Sequence, residues 1–220
     1  MLPHAKLPHE YDPEFYEILR GRDWDVTLMR NRKYMQEKYA YTLPTQEALD
    51  TIVKYKDKEG FLEVAAGRGY WASLLQAMGN NVIATDNLTE FTKYFSNNDR
   101  YTTVLDLDAL EATEQYPHHT LIIMYPPNES TWPIDVIGKY QGEYIILVAG
   151  DGCATDDLWG IFDAAWDQVE YISLTHWPLF PSDMYVYRRK PTLDVETEIL
   201  TNIHNRVLRL ELHTNGHALT

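Results

Sequence analysis

Cysteine, long apolar runs and basic side chains are all scarce in this 220-residue sequence. The single cysteine, Cys153, excludes an internal disulfide framework and a zinc cluster built on cysteines. No apolar run approaches the roughly 18 residues that a membrane helix needs, so we expect no membrane partner. Met1–Asp12 lacks the basic and apolar regions of a secretory signal peptide, and we therefore expect a cytoplasmic protein.

The charge of the chain is strongly negative and unevenly distributed. The sequence has 19 Lys and Arg against 33 Asp and Glu, for a net charge of −14 at pH 7. Such a body repels a nucleic-acid backbone at long range. The exception is the basic segment, residues 20–38, where six basic side chains outnumber three acidic ones. If nucleic acid is a partner, we therefore expect it to bind through this segment alone. The alternative is that residues 20–38 are a solvated helix face with no ligand.

The apolar pattern divides the chain into three parts. Residues 1–15 contain three prolines and predict an extended arm, and residues 14–39 have apolar side chains spaced for amphipathic helix. Thr45 is the predicted N-cap of a further helix that runs to about Lys56. The predicted parts are an N-terminal arm with helices that cover the ligand site, an α/β domain and a C-terminal tail, over residues 1–56, 57–190 and 191–220.

Strand and helix patterns alternate through the α/β domain. Strands are predicted at 61–65, 81–85, 102–105, 120–124 and 144–149. Helices are predicted at 70–78, 88–95, 109–115, 134–140 and 155–165. This alternation is typical of a parallel sheet covered by helices on both faces. Two late strands, at 169–174 and 184–189, lie too close together for a crossover helix and predict an antiparallel pair.

The segment Phe61–Ala72 passes from a strand through a glycine turn into a helix. Gly67 and Gly69 allow the backbone to turn sharply and to approach a ligand closely. Asp86 ends the next predicted strand, where a carboxylate can accept hydrogen bonds from both hydroxyls of a ribose. Open α/β sheets bind ligands beyond the carboxyl ends of their strands, so we predict a ribose-containing ligand at this edge.

Two ligand classes fit this turn. Gly67-x-Gly69-x-x-Ala72 matches the dinucleotide fingerprint and favours NAD. Glu63, inside the strand that precedes the turn, is unusual beside a pyrophosphate. Its carboxylate instead suits a cationic ligand, such as the ammonium and sulfonium of S-adenosylmethionine.

The same turn resembles motif I of the class I S-adenosylmethionine-dependent methyltransferases, Glu/Asp-x-Gly-x-Gly-x-Gly. In this sequence the motif consists of Glu63, Ala65, Gly67 and Gly69, with Ala65 in place of the first glycine. The resemblance implies that these four residues bind S-adenosyl-L-methionine as the cofactor.

The resemblance also implies two further cofactor contacts and a complete fold. Asp86 matches the acid that holds the ribose. Asp106 or Asp108, after the third strand, falls where the family contacts the adenine, and spacing alone does not choose between them. The implied fold is α/β: a Rossmann-like class I methyltransferase fold with a mostly parallel seven-stranded sheet, an antiparallel last strand, helices on both faces and an N-terminal helical extension.

A second resemblance covers roughly residues 35–190. A Lys-Tyr-Ala-aromatic-x-x-Pro segment at 38–44 and an aromatic-Pro-Pro segment at 125–127 are similar to those of a group of small methyltransferase-like proteins. The two segments flank motif I along the chain, so the similarity extends well beyond the glycine turn.

The aromatic-Pro-Pro segment suggests where the methyl acceptor binds. Tyr125-Pro126-Pro127 resembles the Asp/Asn-Pro-Pro-Tyr motif of amino methyltransferases that act on adenine or cytosine, with Tyr125 in place of the acid. The resemblance implies that these three residues face the acceptor as the catalytic segment. Tyr41 and Trp71 are expected to line the same crevice.

The leading hypothesis is a methyltransferase (EC 2.1.1.-) whose acceptor is an unidentified small molecule or amine, with a heteroaryl amine favoured by the Pro-Pro turn. The second is an S-adenosylmethionine-binding protein without transfer, which sequesters or degrades the cofactor or acts as a scaffold; Ala65 and Tyr125 motivate it. The third is an NAD-dependent oxidoreductase, for which no Tyr-x-x-x-Lys pair is present. Eight histidines show no metal-ligand spacing, so no metal is expected.

Overall fold

The computed structural model describes residues 6–20, 26–87, 99–150, 153, 156–174 and 181–191. The chain divides into two units, residues 1–189 and residues 190–220. All the elements below belong to the first unit. The helix predicted at 88–95 and the predicted tail from residue 192 onwards lie outside the described residues.

A seven-stranded sheet forms the centre of the first unit. Its strands are β1 (Phe61–Val64), β2 (Val82–Asp86), β3 (Val104–Asp106), β4 (Thr120–Met124), β5 (Tyr144–Ala149), β6 (Trp166–Ser173) and β7 (Asp183–Arg189). The spatial order is β3-β2-β1-β4-β5-β7-β6. The first five strands pair in parallel, and β7 runs antiparallel to both β5 and β6. The predicted mostly parallel sheet with an antiparallel last strand is confirmed.

Helices pack on the sheet, and further helices precede it at the N-terminus. They are α1 (Pro13–Arg20), α2 (Val26–Lys38), α3 (Gln46–Lys54), α4 (Tyr70–Ala77), α5 (Ala109–Gln115), α6 (Trp132–Lys139) and α7 (Asp156–Ala165). Thr45 is the N-cap of α3, as predicted, because its hydroxyl oxygen accepts the Ala48 N–H at 3.1 Å. Across the part of the chain that the structure describes, no helix is both long and apolar enough to cross a bilayer.

Both faces of the sheet are buried, which explains the continuous apolar runs of the central strands. On one face α3 and α4 pack on the sheet through residues such as Ile52 and Leu75. On the other face α5, α6 and α7 pack through Ala112, Val136 and Leu158. The predicted helices on both faces are therefore present.

The N-terminal region is more helical than its sequence predicted. Pro8–Tyr11 forms a 3-10 helix and α1 begins at Pro13, so the extended arm predicted for residues 1–15 is wrong over its described part. The amphipathic helical pattern predicted over 14–39 is present as two helices, α1 and α2. Both prolines stand at the first position of a helix, where a fixed φ favours helix formation instead of an extended chain.

A small apolar cluster attaches this N-terminal region to the sheet domain. It consists of Phe15, Met35, Tyr39, Leu43 and Tyr70, all buried. Tyr70 is the first residue of α4, and its hydroxyl lies 2.9 Å from Nδ1 of His9. The N-terminal helices thus lie against the helix that follows the glycine turn.

The largest boundary error concerns β6. The apolar pattern predicted a strand from residue 169, whereas β6 begins at Trp166. Its pairing with β7 shifts register between Gln168 and Glu170. A bulge on an edge strand interrupts the alternation of buried and exposed residues, so the pattern marks only the part of β6 that follows it.

Candidate functional site

The carboxyl ends of β1 and β4 form the candidate site. The chain moves outward from β1 to β2 and β3 on one side, then crosses to β4 on the other, which makes this pair of strands the switch point of the sheet. The glycine turn follows β1, Asp86 ends β2, and Tyr125 follows β4. The predicted motifs therefore meet at the edge where open α/β sheets bind ligands.

The turn after β1 has a left-handed backbone. Ala65, Gly67 and Gly69 have φ angles of +51°, +56° and +70°. A Cβ on Gly69 would lie 2.9 Å from Thr102 Cγ2, so this position requires glycine for space as well as for conformation. Ala65 adopts the conformation that usually belongs to glycine. The backbone is therefore left-handed at the position where this chain has alanine in place of the motif's first glycine.

Asp86 is hydrogen-bonded to the turn. The Gly67 N–H donates to Asp86 Oδ2 at 2.8 Å, and the Ala66 N–H donates to the Thr85 carbonyl at 2.9 Å. Burial raises the pKa of the Asp86 carboxyl, while the hydrogen bond from Gly67 lowers it. The side chain is half-buried at the end of β2, so it is both a support for the turn and accessible to a ligand.

Asp106 lies beside Asp86, and Asp108 has a different role. Asp106 and Asp86 are register partners at the ends of β3 and β2, and the charge of Asp106 further raises the pKa of Asp86. Asp108 caps α5, because its Oδ1 accepts the Leu110 N–H at 2.9 Å. The cap favours Asp106 as the acid of the two that faces the crevice.

Glu63 is a buried carboxyl group immediately before the turn. Its side chain is 1% exposed, and Oε2 has no hydrogen-bond partner among the described residues. Burial raises the pKa of Glu63 to about 8, and a hydrogen bond with the Ala72 backbone in the first turn of α4 opposes the rise. An unpaired buried carboxyl oxygen is costly. A cationic ligand group in the crevice would satisfy it.

Arg68 connects the turn to the N-terminal helices. Its Nη1 donates to the carbonyls of Glu37 and Lys38, both at 2.7 Å, and its Nε donates to the carbonyl of Asp99. The guanidinium lies 5.3 Å from the ring centroid of Tyr101, whose hydroxyl also donates to the Lys38 carbonyl. Arg68 could not be predicted as a connecting residue, because its partners are backbone carbonyls, which leave no pattern in the sequence.

Tyr125 and Tyr41 form an aromatic pair after β4. Their rings are nearly parallel, at 19°, with centroids 6.2 Å apart. Tyr125 has a φ of +53°, and its N–H donates to the Val148 carbonyl at 2.7 Å. A left-handed tyrosine is uncommon, and such residues concentrate at functional sites. Of the two prolines that follow, Pro126 is buried and Pro127 is exposed.

Trp71 does not line the crevice, so that expectation is wrong. The side chain is 1% exposed and belongs to the core on the α3 and α4 face of the sheet. Its Nε1–H donates to the Thr42 carbonyl at 2.9 Å. Trp71 therefore joins α4 to the segment that precedes α3. The sequence shows an aromatic residue near the glycines, but the helix orientation that buries it depends on tertiary packing.

Arg32 of α2 is a second residue that the sequence analysis did not single out. Its side chain is half-buried. Burial lowers the pKa of the guanidinium, while its electrostatic interactions with Tyr125 and Tyr41 raise it. With the Gln36 amide oriented to satisfy both groups, Arg32 Nη2 and Nε donate to the Gln36 oxygen at 3.1 and 3.3 Å. The basic segment thus contains a half-buried guanidinium that Gln36 contacts.

An open cleft of about 460 Å³ lies away from the strand ends, among the 3-10 helix, α1 and α2. Lys38 Nζ stands within it, 2.6 Å from Asp12 Oδ2 and 5.2 Å from the ring centroid of Tyr34. None of the predicted site residues lines this cleft. In the described residues, no group of three or more His, Cys, Asp or Glu is arranged to hold a metal ion.

Comparison with known proteins gives matches in structure only. No protein-family model matches the sequence, and a search of curated proteins gave no match. The magnesium protoporphyrin IX methyltransferase ChlM from Synechocystis PCC 6803, solved with bound S-adenosylmethionine, matches with a TM-score of 0.50 at 13% identity, over 80% of this chain and 90% of that chain. A protein in the NADB-Rossmann superfamily from Streptococcus agalactiae matches with a TM-score of 0.45 at 18% identity, over 80% and 89%. The 23S rRNA methyltransferase ErmE matches with a TM-score of 0.44 at 14% identity, over 68% and 70%.

At these identities the likeness concerns the fold. The match to ChlM and the strand order together show the Rossmann-like class I methyltransferase fold that the motif I resemblance implied. The fold that the motif I resemblance implied is therefore confirmed.

Proposed function

We propose that this protein is an S-adenosylmethionine-dependent methyltransferase whose acceptor is an amine or heteroaryl amine. One observation carries the proposal: the buried carboxyl of Glu63 has an oxygen without a partner among the described residues, next to a turn with a glycine-like backbone. A ligand with an ammonium-bearing amino-acid end satisfies that oxygen. NAD has no ammonium group.

The cofactor would extend across the carboxyl ends of three strands. Glu63 and the turn from Ala65 to Gly69 would hold its amino-acid end, Asp86 its ribose, and Asp106 would lie towards its adenine. Because Asp86 also accepts the Gly67 N–H, the ribose acid and the turn form one hydrogen-bonded unit. This unit supports two cofactor contacts whose relative position is fixed before binding.

The acceptor side would be formed by the residues after β4. When bound, the cofactor supplies a methyl group activated by a sulfonium. The protein has to align the acceptor with that methyl group and exclude water. Tyr125, Pro126, Pro127 and the facing Tyr41 would hold a planar acceptor. A neutral amine already carries the nucleophilic lone pair, so its methylation does not require a strong base.

The second candidate is an S-adenosylmethionine-binding protein without transfer, which sequesters or degrades the cofactor or acts as a scaffold. Two departures from the family patterns favour it, Ala65 in place of a glycine and Tyr125 in place of an acid. The φ of +51° at Ala65 weakens the first argument, because the backbone keeps the conformation of glycine.

An NAD-dependent oxidoreductase is disfavoured by the sheet. The dinucleotide-binding fold has the strand order 3-2-1-4-5-6. Here the antiparallel strand β7 lies between β5 and β6. An antiparallel last strand is the feature that the methyltransferase resemblance implied.

Turnover measured by mass spectrometry separates the candidates. The purified protein is incubated with S-adenosylmethionine alone and with a panel of aryl and heteroaryl amines, with the Asp86→Ala variant as the background. S-adenosylhomocysteine that forms only with an acceptor supports transfer. Cofactor breakdown without an acceptor supports degradation, and binding without turnover supports a scaffold; either outcome would overturn the transferase proposal.

A further inference from the structure

We propose that Arg68 and Trp71 are positioning residues that tie the Tyr41 segment, residues 39–42, to the cofactor turn. A ligand bound in that turn then fixes Tyr41 against Tyr125 on the acceptor side. The inference rests on the proposed methyl transfer and deepens it, because it makes the acceptor side depend on an occupied cofactor side.

The first anchor of this segment is the end of α2. The last carbonyls of a helix have no hydrogen-bond partner within the helix. Arg68 is 7% exposed, and its Nη1 donates to the carbonyls of Glu37 and Lys38, both at 2.7 Å. A side chain from the cofactor turn therefore satisfies the end of this helix, immediately before the Tyr41 segment.

The second anchor is at the other end of the segment. The Trp71 Nε1–H donates to the Thr42 carbonyl at 2.9 Å, and both residues are buried. Between the two anchors Tyr70 packs on the ring of Tyr39, with ring centroids 5.2 Å apart. Three of the four residues 68–71 therefore hold the Tyr41 segment, although the two stretches lie far apart in the sequence.

Tyr41 is the residue of the segment that reaches the acceptor side. It lies outside the helices and strands, so no regular secondary structure fixes its position. Tyr41 is 37% exposed, whereas Tyr39 is 7% exposed. The Tyr41 ring is nearly parallel to that of Tyr125, with ring centroids 6.2 Å apart. The position of this ring therefore depends on where the two anchors hold the chain.

The anchors begin among the residues proposed to hold the cofactor. Arg68 stands between Gly67, whose N–H donates to Asp86 at 2.8 Å, and Gly69, whose φ is +70°. Ligand contacts on both sides of Arg68 restrict the motion of the turn, and the restriction extends to the chain that the turn holds. An occupied cofactor turn should therefore slow the local opening of the Tyr41 segment.

The test is hydrogen exchange of the full chain with and without S-adenosylhomocysteine, read at the backbone amides of residues 39–43. Each protein is compared at a ligand concentration that saturates it by calorimetry. In the unaltered protein, we expect bound S-adenosylhomocysteine to slow the exchange of these amides about fivefold or more, the lower end of a typical coupling between two sites.

Three variants assign the coupling to the anchors. Trp71→Phe keeps an aromatic ring and removes the donor to Thr42, and Arg68→Met removes the donors to α2. In both variants the slowing caused by S-adenosylhomocysteine should fall to about onefold. Arg68→Lys should retain part of it, because a charge and a donor remain. The readout is the change that the ligand makes, which a merely structural role would not move.

Leu75→Val is the matched control. Leu75 lies one turn further along α4 and belongs to the same buried cluster as Trp71, but its side chain forms no hydrogen bonds. The substitution therefore weakens core packing and leaves both anchors in place. The slowing caused by S-adenosylhomocysteine should persist in this variant at the level of the unaltered protein.

Acceptor kinetics give a second readout. With an amine that is methylated in the turnover assay, Trp71→Phe should raise the acceptor KM by about threefold to tenfold at saturating S-adenosylmethionine, the range expected for a misplaced aromatic contact. Leu75→Val should leave this KM unchanged. An unchanged acceptor KM in Trp71→Phe would contradict the positioning of Tyr41 by this anchor.

Several exchange results would overturn the proposal. S-adenosylhomocysteine that binds without slowing exchange at residues 39–43, slowing that persists in both Trp71→Phe and Arg68→Met, or equal loss in Leu75→Val would each do so. If Arg68→Met does not fold, Trp71→Phe and Arg68→Lys decide between these outcomes. Failure of the unaltered protein to bind S-adenosylhomocysteine is distinguishable from these results, and it would overturn the proposed function together with this inference.

Discussion

The buried Glu63 and the half-buried Asp86 lie at the ends of the neighbouring strands β1 and β2, and their carboxyl groups have different hydrogen-bond partners. Asp86 is half-buried and accepts a backbone N–H from Gly67; burial raises the pKa of its carboxyl, and this hydrogen bond opposes the rise. Glu63 is fully buried, with one oxygen lacking a partner among the described residues and a pKa raised to about 8. Below that pH Glu63 is therefore mostly protonated until a cation enters the crevice.

Proton release on cofactor binding follows from the state of Glu63. A bound ammonium stabilises the carboxylate and lowers its pKa, so binding below about pH 8 releases a proton. Affinity for S-adenosylhomocysteine should rise with pH, by up to about tenfold per pH unit, and level off above about pH 8. Calorimetry in buffers of different ionisation enthalpy measures the proton directly. In the control Glu63→Gln the release should disappear, and its persistence there would assign the proton to another group.

Asp86 should contribute to cofactor affinity through the hydrogen bonds that its carboxyl group accepts. Asp86→Ala removes the acceptor for the ribose hydroxyls and for the Gly67 N–H, so cofactor binding should weaken by about 1–3 kcal/mol. Asp86→Asn retains an oxygen acceptor and should lose less. Calorimetric affinities of the two variants test this order. Unchanged affinity in Asp86→Ala would remove this residue from the ribose site.

At the scale of elements, the turn between β1 and α4 has alanine where the motif that it resembles has its first glycine. The backbone at this alanine is left-handed, as is usual for glycine. Ala65 has a φ of +51°, which costs an L-residue about 1–2 kcal/mol. Ala65→Gly removes this strain but adds entropy to the unfolded chain. We expect the free energy of unfolding to stay the same or to rise by about 1 kcal/mol.

The converse substitution in the same turn should be harmful. Gly69→Ala places a Cβ 2.9 Å from Thr102 Cγ2 at a φ of +70°, and should lower the free energy of unfolding by about 1–3 kcal/mol. Urea denaturation of the two variants side by side measures both changes. If Ala65→Gly were as harmful as Gly69→Ala, the glycine-like conformation described for Ala65 would be wrong.

Arg68 connects two elements that lie far apart in sequence. It donates hydrogen bonds to the carbonyls at the end of α2 and to Asp99 before β3. Arg68→Met keeps much of the apolar stem and removes the hydrogen-bond donors, so we expect the free energy of unfolding to fall by about 2–4 kcal/mol. Arg68→Lys, with one compact charge, should lose less. Hydrogen exchange should show faster opening of α2 in Arg68→Met, and unchanged exchange there would show that Arg68 does not hold this helix.

At the scale of the whole molecule, the sequence predicted the centre of the sheet better than its margins. The predicted strands at 120–124 and 144–149 match β4 and β5 residue for residue, because burial on both faces makes them continuous apolar runs. The edge strand β6 begins earlier than predicted, because its bulge breaks the alternation. The segment before α1 was wrongly predicted to be extended, because its contact with α4, from His9 to Tyr70, is a tertiary contact.

The candidate site shows the same division. Glu63, the glycines and Asp86 are tied to strand ends, so their meeting point follows from the order of strands and helices. Arg68 donates to backbone carbonyls of distant segments, and Arg32 is half-buried on α2. No local sequence pattern separates either of them from a surface arginine. Trp71 shows the reverse case, since its position beside the glycines indicated a ligand contact whereas packing buries it in the core.

The central claim, that this crevice binds S-adenosylmethionine, is tested most directly by calorimetric titration with S-adenosylmethionine, S-adenosylhomocysteine and NAD side by side. We predict micromolar binding of the first two ligands and no binding of NAD, because the unpartnered Glu63 oxygen suits the primary ammonium that both of these ligands carry and NAD lacks, and because the sheet does not have the dinucleotide-binding strand order. Binding of NAD alone, or of none of the three, would contradict the account of the turn between Glu63 and Gly69 and the methyltransferase proposal with it.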